Sequence, residues 1–196
     1  MYALTCSAQV RLGPVPVGRQ TEAQKKAVAA YKADRKAELN APYAVLLRSP
    51  EMMMRMRALG SYVRFEGVLP ARLREVAVLL TARAWTAQFE WTENAQLAVD
   101  SGVKAETVKA IAEGRRPVGM AEDEAIVYDL CAELLQNKSV SDVTYNRAVA
   151  KLGEQQVVEA VTTVGYYTMI GMVLNTARIP GGAGVPEPLA GLPATR

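Results

Sequence analysis

The sequence predicts an all-α protein. Three observations carry this reading. Apolar residues recur at i, i+3, i+4 and i+7 in one segment after another. Residues that open and close helices bracket those segments: Thr21, Pro42, Pro50 and Ser141 at starts, Gly102, Gly114 and Gly153 at ends. The Val-rich runs lie inside stretches too long for strands, so no strand candidate survives.

Taken in order, residues 1–19 carry Gly13, Pro14, Pro16 and Gly18 and read as an extended arm, because proline fixes φ and removes an amide donor. Thr21 then caps EAQKKAVAAYKADRKAEL, a segment rich in good helix formers. Its apolar stripe of Ala27, Ala30 and Tyr31 is thin, which predicts a surface helix or one completed by a partner chain. Pro42 sits in the first turn of PYAVLLR, and Ser49-Pro50 repeats that arrangement for PEMMMRMRALGSYVRFEG. There Met53, Met56, Leu59 and Val63 share a face and read as core.

The central stretch runs from Leu69 to Gly102 as two helices around a short break. Leu73, Val76, Ala77 and Leu80 form the packed stripe of the first. Glu75 falls on the opposite side, in a row with Leu79 and Arg83, where an exposed structural carboxylate is expected. In the second, about Ala87 to Ser101, one side carries Glu90, Asn94 and Leu97, and an adjacent side carries Trp91, Ala95 and Ala98. Arg83, Gln88, Phe89, Glu90, Trp91 and Asn94 form the densest mixture of polar and aromatic groups in the chain.

Three further helices follow: Lys104 to Glu113, Ala121 to Gln136, and a Ser141-capped segment ended by Gly153. The last, about Glu154 to Asn175, is apolar on nearly every side, so it belongs at the centre of the fold or at a subunit contact. Gly165 and Gly171 weaken it unless close packing requires them. The organisation is therefore an arm and helix over 1–39, a helical domain over 40–180, and a Pro/Gly-rich tail over 181–196.

Composition narrows the chemistry. The 196 residues carry 23 basic and 20 acidic groups, a net charge of +3, with no basic stripe that would suit nucleic acid. Histidine is absent, which removes the commonest metal ligand and the commonest general base together. Cys6 and Cys131 form no motif, so neither a disulfide framework nor a CxxC centre is expected. Acid–base work falls to Glu, Asp, Lys, Tyr or Cys, and no cofactor or metal is expected. No charge-free apolar run reaches the length of a membrane span, and the opening residues lack a secretory pattern. The expectation is a cytoplasmic protein that binds neither membrane nor nucleic acid.

Five landmarks carry a resemblance. They are AVLLRSPEM, LPARLREVAVLLTAR, QFEWTENAQLAVDSGV, SVSDVTYNRAVAKLGEQQVVEAVTTVGYY and MVLNTARIP, spread from Asn40 to Pro180. In this order they resemble the carboxymuconolactone decarboxylase family, which includes the alkylhydroperoxidase D-like proteins. The resemblance implies an all-helical homo-oligomer, commonly a trimer or hexamer, with pockets near subunit contacts. In the peroxidase branch a glutamate is followed by a CxxC pair and then a histidine. Those positions fall here on Glu75, then Ala87 and Glu90, then Asn94. Thiol peroxidase chemistry needs a thiolate and a resolving thiol, and both are missing. A branch without thiols reads tyrosine-glutamate-tryptophan and then histidine, against Phe89, Glu90, Trp91 and Asn94 here.

The candidate site is therefore Glu90 and Asn94 as catalytic groups, with Arg83, Phe89, Trp91, Tyr166 and Tyr167 binding substrate. Glu90 is a general acid or base, or else a structural carboxylate paired with Arg83 or Arg72. Asn94 hydrogen-bonds a substrate oxygen or enolate, or else caps nearby backbone. Arg83 orients a substrate carboxylate or bridges helices. One of Tyr166 and Tyr167 reaches the pocket as a hydroxyl donor. Three functions fit: a cofactor-independent lyase or isomerase for a small carboxylated lactone or carbonyl acid, a non-catalytic small-molecule binder, and a peroxidase-type antioxidant protein, which the missing thiols disfavour.

Overall fold

A computed structural model describes residues 10–181 and 189–190. Among them every regular element is helical. The helices are α1 (Glu22–Arg35), α2 (Ala41–Leu46), α3 (Pro50–Ser61), α4 (Ala71–Ala84), α5 (Gln88–Asp100), α6 (Ala105–Ala112), α7 (Glu122–Asn137) and α8 (Asp142–Ala177). A 3₁₀ turn at Val17–Arg19 precedes α1, and a π turn at Tyr62–Glu66 extends α3.

The punctuation acts as the residues dictate. Thr21 and Gln24 form a reciprocal capping box at the start of α1. Pro42 and Pro50 occupy first turns. Gly153 takes φ 78°, in the left-handed region, and breaks α8 into two arms. Ser141 caps the first arm, accepting from the Thr144 amide.

Helix α4 is the axis, packing on α5, α6, α7 and α8. Its residues from Leu73 to Arg83 are almost all buried, because neighbours surround it. That explains Glu75: the side opposite the Leu73–Leu80 stripe is no solvent face, and Glu75 is 2% exposed. Two cores result. One joins α4, α5, α6, α7 and the middle of α8, with Trp91 and Cys131 inside it. The other joins α1, α2, α3 and the end of α8, through Tyr31, Tyr43, Met53, Met56, Tyr166 and Ile170.

Helix α1 is the surface helix of the two alternatives, with most of its residues exposed. Ala27 and Tyr31 bury against α2 and α3 of the same chain, so the thin stripe is completed within the chain. The arm also docks locally: Arg11 donates its amide to the Ala177 carbonyl at 2.9 Å, and the Arg48 guanidinium donates to the Gly13 carbonyl at 2.7 Å. At the other end, Leu189 is clamped by the Gln88 amide, which donates to the Leu189 carbonyl at 2.7 Å and accepts from its N–H at 2.6 Å.

By length and composition α8 is long and apolar enough to cross a membrane, its best window having mean hydropathy 1.4. Half of that window, 50%, is buried within the chain.

Candidate functional site

The π turn is the local device that builds the site. Its closing bond runs from the Gly67 amide to the Tyr62 carbonyl at 2.9 Å. Such turns interrupt the α ladder and re-aim a side chain. Here the turn carries Arg64 toward α5 and α8. Its Nη1 donates to Asn94 Oδ1 at 3.1 Å and to the Tyr167 hydroxyl oxygen at 2.7 Å.

A cavity of about 270 Å³ opens where α2, the π turn, α5 and α8 meet. Its wall includes Tyr43, Arg64, Phe89, Glu90, Asn94, Tyr166 and Tyr167. Glu90 and Asn94 stand one turn apart on α5 and point the same way. Asn94 Nδ2 donates to the Glu90 carbonyl at 2.7 Å and to Glu90 Oε2 at 3.2 Å. Because arginine can only donate, Oδ1 must face Arg64 and the amide hydrogens must face Glu90. Both amide hydrogens are thus committed inside the protein. In this arrangement Asn94 links Glu90 to Arg64.

Glu90 is 6% exposed, and burial pushes its carboxyl up to about 7, against the opposing pull of Arg64 and the Asn94 hydrogen bond. Asn94 donates to Oε2, which leaves Oε1 to carry the proton. Burial works against the Arg64 charge, but Tyr167, Glu75 and Glu90 outweigh it and hold the guanidinium firmly protonated. Tyr167 accepts from Arg64, so its own O–H hydrogen remains to be donated. Burial raises the hydroxyls of both Tyr166 and Tyr167 well above the ordinary tyrosine range, so both stay neutral donors.

Tyr166 shares a hydrogen bond with Tyr43, oxygen to oxygen 3.0 Å. Gly60 makes this pair possible. A Cβ there would run into the Tyr166 hydroxyl and come within 3.1 Å of the Tyr43 hydroxyl. At the mouth, Phe65 lies against two guanidinium groups, Arg35 at 5.0 Å and Arg64 at 5.9 Å from its ring centre.

The structure redistributes the candidate residues. Glu90, Asn94, Phe89, Tyr166 and Tyr167 come together, and both tyrosines line the cavity. Arg83 does not join them. It sits at the carboxyl ends of α4 and α6, where Nη1 donates to the Ala112 carbonyl at 3.3 Å and Nη2 to Thr86 Oγ1 at 3.2 Å. The negative ends of two helices suit a buried cation there. Trp91 also lies elsewhere. One residue on from Glu90 turns it about 100° around the helix, into the core that α4, α5, α6, α7 and α8 share. Neither proposed partner of Glu90 is used: Arg72 pairs with Asp123 and Glu124, both at 2.7 Å. The cavity wall is polar as well as aromatic, since Arg35, Arg64, Glu90 and Glu93 all reach it.

Two residues, Arg64 and Tyr43, escaped sequence reading, and a third, Glu75, is buried where an exposed carboxylate was expected. Arg64 lies eleven positions after Met53, three helical turns on, so it continues the Met53–Met56–Gly60 stripe. A cation on a buried stripe was the available signal. Tyr43 gave none beyond its place in a short helix. Glu75 lies behind the cavity on α4, its carboxyl raised by burial and drawn back down by Arg64 and Arg74. Among the described residues no cluster of His, Cys, Asp and Glu is arranged to hold a metal.

Comparison with solved structures identifies the fold as that of the alkylhydroperoxidase D-like helical proteins. A peroxidase-related protein from Ralstonia eutropha JMP134 with the alkylhydroperoxidase D core superposes with a TM-score of 0.71 at 10% identity, covering 89% of this chain and 94% of that one. A peroxidase-related protein from Silicibacter sp. TM1040 gives 0.71 at 8% identity, covering 92% and 96%. A cysteine-to-alanine variant of the debrominase Bmp8, in complex with 2,3,4-tribromopyrrole, gives 0.69 at 10% identity, covering 90% and 94%. No family model matches the sequence, and no curated protein matches it.

Proposed function

We propose that the chain is a cofactor-independent lyase or isomerase that moves a proton on a small carboxylated lactone or carbonyl acid. One observation carries the reading: a buried carboxyl near neutrality, Glu90, shares a cavity with a fixed cation, Arg64. Arg64 receives the substrate carboxylate or the developing enolate oxygen. Tyr167 donates its O–H to the same developing charge. In an isomerisation Glu90 takes the proton from the carbon beside the carbonyl and returns it to a neighbouring position. In a decarboxylation the bond to the carboxyl carbon breaks, CO₂ leaves with its oxygens, and the electron pair passes into the enolate. Protonated Glu90 then delivers its proton to carbon. A carboxyl near 7 serves either direction, since both forms are populated at neutral pH.

A non-catalytic binder is the second reading, favoured by Asn94. It stands where the resemblance places a histidine, it does not titrate, and its amide hydrogens are already used. The peroxidase reading has less support. Cys131 is fully buried in α7, and burial pushes its thiol up to about 12, which suppresses the thiolate such chemistry needs. Cys6 lies outside the described residues.

The test is a panel of small carboxylated lactones and carbonyl acids, followed by nuclear magnetic resonance with wild type and Glu90→Gln. Lyase or isomerase action predicts conversion that falls by about 10²-fold or more in the variant while binding persists. Binding without conversion in wild type would leave the binder reading in its place.

A further inference from the structure

Glu159 on α8 is a buried carboxylate, 9% exposed, that the proposed proton transfer does not use. The Leu69 amide donates to its Oε2 at 2.8 Å, the Tyr62 hydroxyl to Oε1 at 3.1 Å and Gln155 Nε2 to Oε1 at 3.3 Å. None of these three donors carries a positive charge. A buried carboxylate is costly unless both oxygens are hydrogen-bonded, so the placing of its donors is what sustains it. Two of them bracket one short segment. Tyr62 opens the π turn, and Leu69 follows three residues after its last residue, Glu66. Arg64 lies between them.

Gly67 is a second, independent sign of the same fit. Its amide closes the turn on the Tyr62 carbonyl at 2.9 Å. A Cβ there would come within 2.8 Å of Glu159 Oε2, closer than such atoms approach. The backbone therefore lies directly against the carboxylate where the turn ends.

Helix α8 also carries an acceptor for the tip of Arg64. Tyr167 follows Glu159 by eight residues, about 12 Å along the helix. The base of the turn and a target of its arginine are thus fixed to one continuous stretch of helix. Glu159 itself does not reach the site. It lines a separate hollow of about 350 Å³ with Tyr62, Leu69 and Gln155, and that hollow shares no lining residue with the site cavity. It acts on the site through the turn.

We infer that Glu159 is a positioning residue: its carboxylate clasps both ends of the π turn and thereby holds Arg64 against Asn94 and Tyr167. Its part in proton transfer rests on the function proposed above, whereas the placing of Arg64 does not. Hydrogen bonds rather than charge do the holding. A glutamine keeps the clasp, because its carbonyl accepts from the Leu69 amide and its amide hydrogens donate to the Tyr62 hydroxyl oxygen. A leucine has neither group.

The test reads Glu90 in ligand-free protein. Arg64, Asn94, Glu93 and Glu75 act on its carboxyl, and of these Arg64 lowers it most. Carboxyl carbon chemical shifts through a pH titration should show the Glu90 midpoint raised by about one pH unit in Glu159→Leu, as Arg64 swings away, with the helical circular dichroism retained. Removing a negative charge alone would move the midpoint down, so the sign separates a displaced Arg64 from a direct effect. Glu159→Gln should leave the midpoint as in wild type. Arg64→Met should raise it, and adding Glu159→Leu to that variant should raise it no further. If Glu159→Leu unfolds the chain, Gly67→Ala supplies the comparison, because its methyl displaces the carboxylate and leaves the charge.

A midpoint unmoved or lowered in Glu159→Leu, or in Gly67→Ala where that variant stands in, would overturn the inference. So would an equal rise in Glu159→Gln, or a further rise in the double variant. Proton exchange on a small carbonyl acid adds the catalytic arm, where Glu159→Leu should lower the rate by about tenfold or more. Midpoints that move as expected in a protein that exchanges nothing would sink the proposed function and support the clasp. Exchange by wild type with unmoved midpoints in the variants would do the reverse.

Discussion

Asn94 gives both hydrogens of its side-chain amide to Glu90, one to the carbonyl at 2.7 Å and one to Oε2 at 3.2 Å. Its oxygen accepts from Arg64 at 3.1 Å. A single uncharged side chain thereby fixes a carboxyl and a guanidinium relative to each other. The hydrogen bond to Oε2 favours the ionised carboxylate, so it holds the Glu90 carboxyl lower than burial alone would.

Asn94→Ala is therefore expected to raise the Glu90 carboxyl above about 7. It also leaves Arg64 short of an acceptor, at a loss of about 1–3 kcal/mol of stability. Carboxyl carbon chemical shifts followed through a pH titration read the first effect, and urea unfolding reads the second. A Glu90 midpoint that stays put or falls would show that Asn94 does not restrain it.

Stability should depend on pH through the same group. Glu90 titrates near 4.5 when unfolded and near 7 in the folded protein, so the folded state binds more protons between those values. Its contribution is complete below 4.5 and is lost as pH rises through 7. The loss amounts to about 3 kcal/mol as an upper bound. Glu75, raised in the same direction, adds to the slope. Urea unfolding across this window should show a shallower decline in Glu90→Gln than in wild type. Identical slopes would mean that Glu90 titrates normally in the folded protein.

Gly60→Ala should disrupt the Tyr43–Tyr166 pair, because the new methyl occupies the place of the Tyr166 hydroxyl. Displacing a packed side chain by one methyl is worth about 1–3 kcal/mol. Thermal unfolding checks the magnitude, and the tyrosine ultraviolet absorbance checks the change at the hydroxyls. An unaltered spectrum and melting temperature would mean that the tyrosines sit farther from α3 than described.

Much of the fold was legible because its signals are local. Thr21, Pro42, Pro50, Ser141 and Gly153 act through their own backbone geometry, and each does what its residue type dictates. The pairing of Glu90 with Asn94 was legible for the same reason, since four residues along one helix fix which side chains stack. Arg64 was not, because its reach depends on a π turn and on two helices distant in sequence, through Asn94 and Tyr167. Arg83 misled because a cation close in sequence to a carboxylate is indistinguishable from one close in space. Glu75 misled because periodicity gives the side of a helix, while burial depends on what surrounds it.

In the proposed function Glu90 moves a proton on a ligand held by Arg64. Hydrogen–deuterium exchange measures this directly. A small carboxylated ketone or lactone is incubated with the protein in D₂O, and loss of the proton beside the carbonyl is followed by nuclear magnetic resonance. Wild type is expected to exchange that proton well above the buffer rate, and Glu90→Gln to lower the rate by about 10²-fold or more while the ligand still binds. Exchange at the same rate in both proteins, or no exchange in wild type from a ligand that binds, would contradict the account.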